Sequence, residues 1–168
     1  MTISMHSASV PIFTRMLGNL LQWLDKAEAH AQARQWNPDL WLGQRLAPDM
    51  LPLVKQVQIA SDAVKGCVAR LTGQEVPSWE DNESTIDDLR ARIRRTQAYI
   101  ASVPAAQIDG SEAREILVPR RGGDPRRFSG EDYLRQFVLP NFFFHLTITY
   151  ALLRQGGVAL GKADYLGL

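Results

Sequence analysis

Few residues in this 168-residue chain have side chains suited to chemistry, and His145 is the first of them. On a helical projection Leu134, Val138, Asn141, Ile148, Thr149 and Leu152 all fall within about 60° of it, so an imidazole lies inside an apolar stripe. A buried imidazole has two ring nitrogens to satisfy. Asn141, one turn before, and Thr149, one turn after, are polar groups on the same face. One reading is a core histidine satisfied by such neighbours; the other is a ligand, or a general acid and base, at the floor of a pocket. Metal sites in helical bundles draw three or four donors from facing helices. The second helix offers only Gln58, at the border of its buried stripe, and Asp62, which projects toward solvent. The candidate pocket is therefore Gln58, Asn141, His145 and Thr149, with His145 the one metal ligand that can be named.

Other reactive groups point to less. His30 sits near the C-terminal end of the first helix, where an imidazolium favours the helix dipole, and His6 precedes that helix. The acidic group Glu80, Asp81, Asn82 and Glu83 lacks the glycine and terminal glutamate of a calcium loop and reads as charge leading into a helix. Asn82 there suits side-chain bonds to the loop backbone. There is neither a glycine-rich phosphate loop nor a nucleophile elbow, and Cys67, at the edge of a buried stripe, reads as a small apolar side chain.

Four helices must position these groups. The first spans about Ser9 to Gln35, with Pro11 early and Phe13, Met16, Leu17, Leu20, Trp23, Leu24, Ala27 and Ala31 at helical spacing. A loop from Trp36 to Ala47 follows, and Pro48 is expected to open a second helix that runs to Leu71, with Met50, Leu53, Val57, Val64, Val68 and Leu71 buried. The third helix begins at a capping box formed by Ser84 and Thr85 with Asp87 and Asp88. Its stripe is Ile86, Leu89, Ile93, Thr96, Ile100 and Val103, and Pro104 ends it. From Pro104 to Phe128 the chain has no helical period, and a short hairpin from Glu115 to Val118 and back through Gly122, Gly123, Asp124 and Pro125 would order it. The last helix runs from Ser129 to Arg154 or Gln155, with a kink expected before Pro140 and left-handed ends at Gly156 and Gly157. Gln136 to Leu153 is uncharged and just long enough to cross a membrane. Its Pro, Asn, His and Thr residues favour instead the most buried helix of a bundle.

Composition sets the class but not the activity. Hydrophobic residues are 45% and the net charge is +1, values of an ordinary folded domain rather than a disordered tail. A lone cysteine rules out an internal disulfide, and residues 1–9 carry no secretory pattern, so a cytoplasmic location is expected. Glu75 to Asp88 carries six acids and no Lys or Arg; Arg90, Arg92, Arg94 and Arg95 follow, and Arg114, Arg120, Arg121, Arg126 and Arg127 come later. These runs read as solvated faces paired between helix turns. The later run has no aromatic residue for base stacking, which argues against nucleic acid. Trp36, Trp41 and Trp79 read as loop anchors or interface residues.

Taken together, the phrases Leu46-Ala-Pro-Asp-Met50, Gln56-Val-Gln-Ile-Ala-Ser-Asp62, Glu80-Asp-Asn-Glu83, Leu139-Pro-Asn-Phe-Phe-Phe-His145 and Gly161-Lys-Ala-Asp-Tyr-Leu166 resemble an uncharacterised bacterial family related to the DinB-like helical bundles. The resemblance covers Val10 to Gly167. It implies an all-α fold, a single DinB-like four-helix bundle over residues 1–168 with a long crossover between helices 3 and 4. It also implies kinship with metal-dependent enzymes, some acting with low-molecular-weight thiols, whose metal is held by one histidine of the second helix and a His-x-x-x-His pair on the last. Here His145 matches the first member of that pair, Thr149 replaces the second, and no histidine lies between Pro48 and Leu71.

The expected function is a ligand-binding or interaction role without that metal, with an unknown small molecule or a second copy of the chain as partner and neither nucleic acid nor membrane. The alternative is a metal-dependent enzyme whose divalent ion is held by His145 with oxygen donors such as Gln58. A third possibility is an anionic partner for the Arg114 to Arg127 segment.

Overall fold

The computed structural model describes residues 3–120 and 122–168. Helix α1 covers Val10–Ala33, and every apolar position named above for it is buried. A 3₁₀ turn, Pro38–Gly43, interrupts the loop that follows. Helix α2 spans Leu53–Leu71 and α3 spans Ile86–Ala101. After Pro104 come a single turn of helix, α4 (Ala105–Ile108), and an antiparallel hairpin of β1 (Glu115–Arg120) and β2 (Gly123–Ser129). A continuous 26-residue helix, α5, covers Gly130–Gln155. The chain closes with α6, Lys162–Leu166. Helix α1 lies against α3, α3 against α2, α2 against α5 and α5 against α1, which closes a four-helix bundle around one core. Phe13 of α1 meets Phe142 of α5 edge to face at 5.2 Å in that core.

Local chemistry explains most element ends. At the start of α3 the Thr85 hydroxyl accepts from the Asp88 amide (3.0 Å) and the Asp88 carboxylate accepts from the Thr85 amide (2.9 Å), a complete capping box. The Ser84 amide, which also donates to the Asp88 carboxylate (3.0 Å), and next the Thr85 side chain hold the Asp88 carboxyl below its ordinary range. The hairpin is longer than the sequence suggests. Glu115 pairs with Ser129 and Ile116 with Phe128, and Ile116 is buried against the bundle. Gly122 takes the positive φ of the tight turn.

Three expectations need correction. Helix α2 begins at Leu53, not Pro48, because Pro52 would remove a helical N–H, clash with the carbonyl of Pro48 and keep Leu51 out of the α region. Met50 therefore sits half-buried in a turn, its amide bonded to Ala47 O. In α5 the proline is absorbed by a π-helical segment, Tyr133–Val138, immediately before Leu139 and Pro140. At the far end only Gly157 is left-handed. Gly156 has ordinary helical φ and is needed for space, since a Cβ there would lie 2.3 Å from the Trp41 ring.

Helix α5 is long and apolar enough to cross a membrane by length and composition, and its buried face packs chiefly on α2. Helix α6, which no sequence signal announced, folds back on α1. Asn19 donates to Tyr165 O (3.0 Å), Trp23 donates to Asp164 O (3.0 Å), and the Trp23 ring stacks on Tyr165 at 5.3 Å. Lys26, with the Gly161 amide next, draws the Asp164 carboxyl below its ordinary range.

Candidate functional site

His145 is 8% exposed, on the face of α5 that meets α2. Its partner is Gln56, three residues along from the start of α2, rather than the expected Gln58: Nδ1 lies 2.7 Å from Gln56 Oε1. The amide is oriented from its other end, because Gln56 Nε2 donates to Leu51 O (2.8 Å). Its oxygen must then accept, so Nδ1 carries the proton and Nε2 presents a lone pair. Burial lowers the His145 pKa and keeps the ring neutral. Thr149 is fully buried, but its hydroxyl donates to the His145 carbonyl within the helix (2.9 Å), and Asn141 is half-buried with no side-chain bond among the described residues. Of the four residues in the expected pocket, the fold leaves His145 paired with a residue outside it. The signal for Gln56 was present but unused: it shares a face with Leu53 and Ala60, which a stripe drawn through Met50 obscures.

Gln58 belongs to a second polar cluster. It is 1% exposed and donates from Nε2 to Glu83 Oε2 (2.6 Å). At the centre of that cluster is Arg92, a buried residue of α3. Its guanidinium reaches Glu83 (2.9 Å), Asp62 (2.9 Å) and Asp81 (3.0 Å) and donates to the Glu80 carbonyl (3.1 Å). Burial opposes the charge of Arg92; Glu83, Asp62 and Asp81 outweigh it and raise its pKa. Lys65, also buried, pairs with Asp62 (2.8 Å). Asp62 is thus an ion-pair partner, 44% exposed, rather than a free surface acid. The loop from Gln74 to Ser84 is held across α2 and α3 by this cluster, so Asp81 and Glu83 are structural partners of Arg92 rather than helix-leading charge. Trp79 of the same loop has Lys65 Nζ and Arg95 each 4.4 Å from its ring centre.

The arginine run is likewise divided by the fold. Arg90 is buried and binds Asp25 (2.9 Å) and Glu28 (2.6 Å) of α1 and Asp87 (2.7 Å), tying α3 to α1, whereas Arg94 and Arg95 are exposed. Arg114, Arg120, Arg126 and Arg127 are exposed on or beside the hairpin, Arg127 pairing with Glu115; Arg121 lies outside the described residues. Trp41 is a buried anchor donating to Ala27 O (3.1 Å), and Trp36 is 49% exposed. Cys67 is completely buried and its thiol is pushed far up by desolvation, with the charge of Arg70 a smaller opposing influence.

Among the described residues no three His, Cys, Asp or Glu side chains converge on a point that fits a metal ion. Thr149 spends its hydroxyl on the helix backbone, and Gln56 stands where a donor from the second helix meets His145. The donor set does not fit a three-histidine metal.

The ring of four helices with a long crossover before the last one is that of the DinB-like bundles. A crystal structure of a DinB family member from Shewanella denitrificans superposes with a TM-score of 0.87 at 38% identity, over 97% of this chain and 92% of that one. Residues 5–166 match the family described as a domain of unknown function, DUF1993, and the chain belongs to it. No curated protein matches the chain.

Proposed function

We propose that this DinB-like bundle has a ligand-binding or interaction role, exercised in the cytoplasm, that does not use the three-histidine metal. The observation that carries this reading is the His145–Gln56 pair: the position that faces the imidazole from α2 is a carboxamide already fixed by Leu51 O. The single buried thiol fits a reducing compartment. Elemental analysis of native protein, beside His145→Ala, tests the reading. The expected result is no stoichiometric transition metal that survives chelation in either protein; such a metal in the native chain, lost in the variant, would overturn it.

A second reading, a metal-dependent enzyme with an altered site around His145, is favoured by one feature. Because Nδ1–H donates to Gln56 Oε1, the other ring nitrogen, Nε2, is left as a lone-pair donor of the kind metals use. That reading predicts a rise in melting temperature on adding divalent ions that disappears in His145→Ala, and an unchanged melting temperature excludes it.

A further inference from the structure

Outside the His145 region, the loop that carries Trp79 and the outer face of α3 border a half-open cavity of about 420 Å³, within the range of small-molecule pockets. Its lining includes Ser78, Glu80, Asn82, Glu83, Arg92 and Arg95. Most of these groups are already spent. Glu83 is bound by Arg92 and Gln58, and Asp88 of the same wall is held by the capping box. Two charges are not. Arg95 is exposed, its guanidinium set over Trp79, and it has no ion-pair partner among the described residues. Glu80 is exposed; its backbone carbonyl accepts from Arg92, but its carboxylate is bonded only to the Asn82 amide, at 3.4 Å, and has no ion-pair partner among the described residues. The two line one cavity and form no ion pair with each other among the described residues. On the same wall Arg92, 4% exposed, has a buried Nε–H with no partner among the described residues.

We propose that this cavity binds a small zwitterion of the amino-acid class, its carboxylate received by Arg95 and its ammonium by Glu80. A bidentate guanidinium suits a carboxylate, and an uncompensated carboxylate lining the same cavity suits an ammonium and opposes a dianion such as phosphate. The proposal deepens the ligand-binding reading and is independent of the metal content that tests that reading.

The experiment is an amide-resolved NMR titration of the full chain with a panel of L-amino acids, and with acetate, methylammonium and inorganic phosphate as separate probes. At least one amino acid should shift the amides of Ser78 to Glu83 and Ala91 to Arg95, and the Trp79 indole N–H, saturably. Each half-probe should bind more weakly, and Arg95→Gln and Glu80→Gln should each weaken binding by about tenfold or more. Neither variant touches the Arg92 ion pairs, so unchanged spectra elsewhere establish that the fold is intact. The proposal is overturned if no amino acid gives a saturable shift at these residues, if either variant binds as the native chain does, or if acetate or phosphate binds as tightly as the zwitterion. Metal found at His145 with the titration positive would sink the functional reading and leave this site standing.

Discussion

Two polar clusters lie in the bundle on either side of α2, and they are built on different physics. The first is neutral and small: His145, its Nδ1 on Gln56, and Gln56 on Leu51 O. The second is ionic: Arg92 with Asp62, Asp81 and Glu83, and Lys65 beside them. A neutral hydrogen bond between buried groups contributes little net stability but is costly to leave half-made. A buried guanidinium needs several acceptors to offset its desolvation, and here they come from two other parts of the chain, Asp62 on α2 and Asp81 and Glu83 on the loop. The contrast teaches that the ionic cluster holds structure together, fastening a loop to two helices, whereas the neutral pair preserves one free ring nitrogen and fastens little.

Breaking the ionic cluster should have the largest effect. Arg92→Met strands Glu83, which is 9% exposed, with no cation, and should cost about 3 kcal/mol, discounted from a fully buried pair because Asp62 and Asp81 reach water. Urea denaturation measures it, and a loss below about 1 kcal/mol would show that the cluster is not the fastening inferred here.

The neutral pair should respond next and in a different way. Gln56→Leu leaves the Nδ1–H buried without a partner and should cost about 2 kcal/mol, while the double variant Gln56→Leu/His145→Leu should recover most of that loss. Strict additivity in this double-mutant cycle would contradict the bond.

A smaller effect separates the clusters by pH. Burial depresses the His145 pKa in the folded chain, whereas the unfolded chain takes up a proton near about pH 6.5. Falling pH therefore protonates the unfolded state first, so this residue's contribution is full above that value and is lost as pH drops toward the folded pKa. The stability difference between the native chain and His145→Leu should shrink over that window, and a difference constant with pH would refute it. Smallest of all, Arg127→Ala and Arg135→Ala, which break exposed pairs with Glu115 and Glu131, should each change stability by less than about 0.5 kcal/mol. A larger loss would erase the distinction between buried and exposed arginines.

The sequence by itself determined the helices whose apolar residues recur with a clean period. The α1 stripe from Phe13 to Ala31 and the α3 stripe from Ile86 to Val103 are buried as their spacing requires, and the capping box of Thr85 and Asp88 is local chemistry that needs no partner helix. The all-α class followed from these periods, while the family rested on the resemblance of other phrases, such as Leu139 to His145, and on the matching family and fold. What only the tertiary structure decided were the pairings between residues distant in sequence. Gln56 and His145 are 89 positions apart, and Arg92 meets Asp62 across 30. No period along one helix specifies which polar residue on a neighbour will face it, because rotation and register are set by how the apolar stripes interlock. That is why Gln58 seemed the natural companion of the imidazole and proved to belong with Glu83.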